Sequence, residues 1–420
     1  MLFTCFIVLI FRIGSVIPVP FLDVKILQQL TANWNDGSNI LSYYDMFSGG
    51  AFSNATLFAM SVTPYINFSI IMQLLTVPIP ALERLAKEGT EGRKKIATIT
   101  RYVTVGLGII QGSAYYVWLY RSGITDYTGW SFDTVFSALV IILSFTAGTA
   151  LMMWLGEQIN QFGIGNGISI LLFIGIIARV PVTFGTLWST FKLGLEGDIS
   201  KIISPIVFVV LFLIVIWVIV FMNDAERRIP IQYAKRVVGR KVYGGQNTHL
   251  PIKVGLSGVM PIIFASSILS IPSTVKLFIP EENINDFWKG FFELFSMTNW
   301  FYTIIYFILI IGFAYFYVTI QYNPIEMANN LRQNNGTVPG IRPGKPTAEF
   351  IAKILSRITL IGALFLAFIA ILPIIFAQVT GLSHLMLGGT SVIILVGVAL
   401  DTMKQIESQM TIRHSKGFLD

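Results

Sequence analysis

Hydrophobic positions gather along this chain into blocks about as long as a bilayer's hydrocarbon core is thick, with polar and charged residues confined to the intervals between them. A helix needs about 20 apolar residues to span that core. Such blocks stand at roughly 1–19, 57–78, 97–120, 134–155, 164–185, 202–222, 256–278, 299–322, 355–378 and 384–403. The pattern predicts an all-α polytopic membrane protein with ten transmembrane helices. The first block lacks both the basic leader and the small-residue exit of a cleaved signal, and it reads as a retained span. Five spans on each side of the fifth interval make two halves, about 1–190 and 191–420, of opposite topology, which is the arrangement of inverted-repeat membrane proteins.

One apolar stretch is too long to be a single helix. From Met46 to Pro78 about 33 residues would overshoot the hydrocarbon core at 1.5 Å per residue. Its first part is small, polar and flexible, with Gly49, Gly50, Ser53, Asn54 and Thr56, and Pro64 sits inside the more apolar second part. The division predicts a short re-entrant helix at about 43–57 in front of the second span. Irregular backbone at membrane depth persists only inside protein or beside a water-filled cavity, so a re-entrant helix implies a cavity and suggests a gated pore. An interfacial helix on the outer surface is the alternative.

Charge orients the spans. Lys and Arg mark short cytoplasmic loops, and they concentrate in the second interval (Arg84, Lys87, Arg93, Lys94, Lys95), the sixth (Arg227, Arg228, Lys235, Arg236, Arg240, Lys241, Lys253) and the eighth (Arg332, Arg342, Lys345, Lys353, Arg357). The first, third and seventh intervals carry Asp23, Asp36, Asp45, Asp126, Asp133, Glu281, Glu282, Asp286 and Glu293 and belong to the opposite face. Both termini then lie on the cytoplasmic side. The fourth interval has no Lys or Arg, and the fifth is assigned Arg179, Lys192 and Lys201, so the rule is silent or mildly contrary there. The sixth and eighth intervals, about 223–254 and 322–354, are long enough to be functional loops. Their charge also suits plain topology and anionic lipid headgroups.

Composition agrees and narrows the chemistry. Hydrophobic residues make up 54% and charged ones 12%, against about a quarter charged in soluble domains. Mean hydropathy is +0.71. The 36 Gly and 17 Pro predict kinked or broken spans. The single Cys5 excludes an intrachain disulfide framework and any multi-cysteine metal site. His249, His384 and His414 lie far apart, and no HExxH, Gly-x-Ser-x-Gly or P-loop pattern occurs, so neither a catalytic centre nor a cofactor is expected. Within the spans Arg12 and Arg101 are the ionisable residues singled out. Proton- and cation-coupled carriers place carboxylates or His at mid-membrane, so this scarcity weighs against a solute transporter, the main rival reading.

At FRIGSVIPVP (Phe11 to Pro20), MFSGGAFSNATLFAM, TPYINFSIIMQLLTVP, GIGNGIS (Gly163 to Ser169), YAKRVVGRKVYGGQNTHLPIKV and VPGIRPG (Val338 to Gly344) the chain resembles the bacterial SecY family, in the family's order and over nearly its whole length. The resemblance implies an hourglass channel between the halves, with a plug on the outer side and a lateral gate where spans 2 and 3 face spans 7 and 8. Secretory proteins would cross unfolded through the pore, and membrane segments would leave sideways into lipid. By motif position the pore ring falls to Val62, Ile66, Ile168, Leu172, Ile263 and Ile394, and the plug to Phe47, Ser48, Gly49, Gly50, Ala51, Phe52, Ser53 and Asn54.

Aliphatic side chains cannot hydrogen-bond water, so such a ring resists ion flow by dewetting yet deforms around a polypeptide. Taken without the family, each ring residue reads as lipid contact or helix packing. Gln73 and Ser267 are candidates for polar contacts across the gate, with ordinary helix-to-helix bonding as the alternative. Asn166 reads as the cap of the fifth span. The resemblance further implies docking of a ribosome or the SecA motor on the basic loops, with Arg228 and Arg240 toward rRNA phosphate and Arg342 toward the motor. SecE and SecG are the expected companion subunits. Signal sequences and membrane lipids are the further partners, and a bacterial plasma membrane is the expected location, with a plastid membrane as the alternative.

Overall fold

A computed structural model describes residues 2–32, 45, 48–76, 78–125, 131–195, 199–233, 236–238, 241–243, 247–279, 285–296, 299–380 and 389–416. The helices are α1 (Leu2–Gly14), α2 (Val24–Ala32), α3 (Thr63–Thr76), α4 (Pro80–Lys87), α5 (Thr90–Arg121), α6 (Phe132–Phe162), α7 (Gly167–Leu195), α8 (Ile199–Asp224), α9 (Met260–Phe278), α10 (Asp286–Leu294), α11 (Trp300–Gln321), α12 (Pro324–Gln333), α13 (Lys345–Thr380) and α14 (Gly389–Lys416). Each predicted span meets one helix. Helices α6, α7 and α11 and most of α8 and α13 are long and apolar enough to cross a membrane, and α3 with α4, bent by 102°, makes a further candidate.

Several boundaries differ from the hydropathy blocks. Helix α1 stops at Gly14, where any Cβ would overlap the Phe58 ring, and the chain then runs extended so that Pro18 bridges Thr56. Helices α6, α7, α13 and α14 instead run past their apolar blocks into polar sequence, since a helix keeps its own backbone bonds in water as in lipid. Capping fixes several starts. Ser131 accepts from the Thr134 amide, Asn299 from Phe301, and Asn323 from Ile325 ahead of Pro324. Proline sits inside α7, α8, α9 and α13 without ending them.

Burial explains why these helices need lipid. Along α8 the most apolar window is only 22% buried, and Ile206, Val210, Leu213, Trp217 and Phe221 are exposed. A continuous uncovered apolar face of that kind is stable against hydrocarbon and not against water. The protein is a multi-pass membrane protein.

Three apolar clusters hold the helices together. One joins α2, the 49–62 segment, α5 and α6 through Leu27, Phe52, Tyr115 and Phe145. A second joins α8, α9, α11, α13 and α14 through Ile219, Ile262, Tyr306, Ala367 and Ile393. A third connects the two ends of the chain, with Phe11 of α1, Met152 of α6, Ile176 of α7, Phe208 of α8 and Val398 of α14.

Two expectations need correction. The fold is not wholly helical. Strands β1 (Glu226–Tyr233), β2 (Arg236–Val238), β3 (Lys241–Tyr243) and β4 (Asn247–Lys253) occupy the sixth interval, and β5 (Gly336–Thr337) the eighth. β1 lies between β4 and β5, antiparallel to both, with Ile229 opposite Leu250 and Gln232 opposite Thr337. Alternation is the cause, because Ile229 and Ile231 turn inward from ERRIPIQY while their neighbours face solvent. They do not stand alone, since Ile229, Ile252, Ala328, Val338, Ile351 and Leu355 form a fourth core, so the two basic intervals and the start of α13 fold as one unit.

The re-entrant helix expected at about 43–57 is also corrected. Of its described residues Asp45 and Ser48 are helical, and from Gly49 to Val62 the chain runs as consecutive turns. Gly49, Gly50, Ala55 and Ser61 take positive φ angles of 68°, 90°, 43° and 50°, which no right-handed helix accommodates.

Candidate functional site

The six aliphatic residues singled out by motif come from separate elements and lie in or against one cluster. Val62 closes the turn segment, Ile66 is in the first turn of α3, Ile168 and Leu172 are near the start of α7, Ile263 is in the first turn of α9, and Ile394 follows the start of α14. Val62, Leu172 and Ile394 are buried in the cluster, and Ile66, Ile168 and Ile263 pack against it. The start of α7 is set locally. Asn166 Oδ1 accepts from the amides of Ile168 (3.2 Å) and Ser169 (3.4 Å), capping the helix as its sequence suggests. Gly165, at φ 87°, makes the turn before it and donates to Gln405 Oε1 at 2.8 Å.

A cavity of about 520 Å³ adjoins this cluster, lined by Leu172, Ile263 and Ile394 together with Gln73, Asn166 and Lys253. It continues to the end of the molecule that carries the folded basic loops, since Asn223, Lys253 and Lys404 also line it. Gln73 therefore faces open space on α3. Ser267 is half-buried on α9, where its carbonyl accepts from Ser270 Oγ at 2.7 Å. Helices α3 and α5 both touch α9.

Of the residues expected to form a plug, Phe47 lies outside the described residues; Ser48, Ala51 and Phe52 are buried, and Gly49, Gly50, Ser53 and Asn54 are half-buried. The segment is tied internally by Phe52 N to Ser48 Oγ (2.9 Å) and Asn54 Nδ2 to Gly50 O (2.7 Å). It is tied outward by Tyr115 Oη of α5 donating to the Phe52 carbonyl (2.6 Å), Gln28 of α2 donating to Asn54 (2.9 Å), and backbone bonds from Val19 to Ala55 and from Leu57 to Ile17.

Arg179 corrects its sequence assignment. It lies within α7 rather than in the interval after it, and it forms an ion pair with Asp45. Sequence reasoning counted both as loop charges. A signal was present, because Arg179 falls inside the apolar block 164–185, and an arginine at that depth needs a partner. Tyr115 was missed as well, since nothing in an apolar helix marks which tyrosine will cap a distant carbonyl.

On the basic unit, Arg228 is exposed on β1 with its Nε 2.6 Å from Glu226 Oε1, and Arg240 lies outside the described residues. Arg342 is exposed in a turn between Gly340 (φ 81°) and Gly344 (φ 104°), and its carbonyl is held by Thr347 Oγ1 at 2.9 Å.

Known proteins resemble this chain. The SecY family profile matches residues 56–403. A Streptomyces galbus protein described as protein translocase subunit SecY is 44% identical over 429 residues, covering 100% of this chain and 96% of the relative. The like-named protein of Mycobacterium tuberculosis H37Rv is 42% identical with the same coverage. Among solved structures, one described as a protein conducting channel has a TM-score of 0.64 at 17% identity, covering 98% of this chain and 92% of that one. Sec61 in a canine ribosome-channel complex has a TM-score of 0.63 at 16% identity, with the same coverage. The likeness to the solved structures is one of fold, and the identity to the curated relatives extends from end to end. The chain belongs to the SecY family.

Proposed function

We infer that this chain is the central channel-forming subunit of a protein translocation complex, passing unfolded polypeptide across the membrane and releasing membrane segments sideways into lipid. The observation that carries this reading is the convergence of six aliphatic residues from four helices and a turn segment beside a cavity that leads to the basic loops. Such a constriction blocks hydrated ions for want of hydrogen-bonding groups and yields to a chain that brings its own side chains.

In this reading ten helices span the membrane as two five-helix halves, 1–190 and 191–420, with both termini cytoplasmic in a bacterial plasma membrane. The segment 48–62 is the plug, and the seam of α3 and α5 against α9 is the lateral gate. Gln73 and Ser267 line or flank that gate, where each interhelical hydrogen bond contributes only about 1 kcal/mol. The chain performs no catalysis. Energy comes from a partner on the basic unit, either the SecA ATPase or a translating ribosome, and SecE and SecG complete the complex. Arg228 and Arg240 meet rRNA phosphate, a salt-sensitive contact, and Arg342, presented on a stiff turn, engages the motor.

The test is SecA- and ATP-dependent uptake of a secretory precursor into vesicles carrying this chain with SecE, for the parent and for Arg342→Glu. Uptake by the parent and its loss in Arg342→Glu are expected. Assembled parent complexes that take up nothing would overturn the reading.

A further inference from the structure

We propose that Asp45 and Arg179, with the contact of Gly49 on Gly175, form a latch that holds the 48–62 segment on α7 and sets how strong a signal segment must be to open the channel. The proposal rests on the channel reading above. It starts from the face of α7. Ile168, Leu172, Gly175 and Arg179 follow one another at spacings of four, three and four residues, so they stack along one side of the helix. The lower two belong to the aliphatic cluster. The upper two receive the turn segment.

At Gly175 the approach is backbone on backbone. A Cβ built on Gly49 would stand 3.0 Å from the Gly175 carbonyl oxygen and 3.1 Å from its Cα, and Gly49 itself has a φ of 68°. Any larger residue at Gly49 is strained and lifts the segment from α7. One turn further, Arg179 Nη2 pairs with Asp45 Oδ2, while Asp45 Oδ1 accepts from the Ser53 amide at 2.7 Å. The Asp45 side chain is 5% exposed and both of its oxygens are engaged. Arg179 Nε is buried and without a hydrogen-bond partner, so the pair carries most of what compensates that cation.

Removing Arg179 leaves the buried Asp45 carboxylate uncompensated, and removing Asp45 leaves the half-buried guanidinium without its partner; the simplest relief in either case is for the segment to rise so that water reaches the remaining charge. Because Ala51, Phe58 and Val62 of the segment are all buried in the aliphatic cluster, its departure also withdraws three of that cluster's members. The latch and the seal are thus mechanically one device, and a signal segment must supply enough binding energy to release both.

The experiment uses the full chain with SecE in vesicles and planar bilayers and compares the parent with Arg179→Gln, Asp45→Asn, and the exchange Asp45→Arg with Arg179→Asp. Resting ion conductance is read beside uptake of two precursors, one with a normal and one with a weakened signal. Each single variant should raise resting conductance about tenfold or more and raise weak-signal uptake relative to normal-signal uptake. The exchange should bring both readouts back toward the parent, which a merely structural role would not do. A second arm places cysteines at Asp45 and Arg179 in a Cys5→Ser chain and bridges them with a short thiol-reactive linker, which should block uptake only when bridged. Parent-like conductance and signal preference in the single variants, or full uptake through the bridged protein, would overturn the latch. Absence of uptake by the parent would instead overturn the channel reading, so the two failures are distinct.

Discussion

Replacing Ile394 by Asn tests the seal most directly. Ile394 is 2% exposed in the cluster it shares with Val62 and Leu172, and it also borders the cavity. The substitution removes about 1.5–3 kcal/mol of apolar burial and, if the site stays dry, leaves an amide unsatisfied at a further cost of about 1–3 kcal/mol. Both penalties shrink when water enters from the cavity and hydrates the amide. A net shift of about 2 kcal/mol toward the wet constriction raises its population roughly thirtyfold. Ion conductance of the resting channel in planar bilayers reads that population, and adding Ile66→Asn should increase it further. The matched control is Ile369→Asn, which is equally buried but lies in the α8–α14 cluster away from the cavity lining. It should lower thermal stability and leave conductance alone. If Ile394→Asn folds and conducts as the parent does, or if Ile369→Asn leaks as much, the assignment of the seal to this cluster fails.

Two further outcomes follow from packing. A Cβ at Gly148 of α6 would overlap the Leu57 carbonyl, so Gly148→Ala should cost about 1–3 kcal/mol by overpacking; a melting temperature and a resting conductance both equal to the parent's would refute that contact. Ile351 is fully buried in the core that joins the two basic intervals, so Ile351→Ala should destabilise that unit by about 2–5 kcal/mol and expose it to limited proteolysis. An unchanged cleavage pattern would show that the loops do not depend on that core.

The spans were legible because an apolar block of bilayer length leaves a helix few alternatives. Their ends were not, because hydropathy stops reporting where a helix leaves lipid, as α13 does by beginning at Lys345 rather than near 355. The six clustered aliphatic residues were reachable through motif position, since five of the six sit near the starts of helices whose motifs are distinctive, and Val62 closes the turn just before α3. The basic sheet escaped notice for a reason of distance. ERRIPIQY alternates over only a few residues, and its partner Thr337 is 105 residues beyond Gln232. The break before α3 was legible as a place and not as a conformation. Two glycines and short polar residues announce a break, whereas the positive φ at Ala55 and Ser61 arises only from packing against the rest of the chain. The Asp45–Arg179 pair shows the sharpest limit, because Arg179 inside its apolar block calls for a partner without naming one, and only the fold brings Asp45 to it.

The strength of that holding bears on how such a channel can be both tight and responsive. The 48–62 segment makes two kinds of bond. Those inside it, from Phe52 to Ser48 and from Asn54 to Gly50, travel with it when it moves. Those leading out of it, from Tyr115, Gln28, Val19, Leu57 and Arg179, must break. Each neutral outward bond is a modest interaction of about 1 kcal/mol net, and the bonds from Val19 and Leu57 join the segment to the chain that precedes α2 rather than to α7. On the proposed reading, these bonds act together with the buried apolar side chains of Ala51, Phe52, Phe58 and Val62 to hold the closed state, which an apolar signal helix binding at the α3–α9 seam would have to outcompete. On that reading the turns suit the task because their internal bonds keep the segment cohesive when the outward ones break.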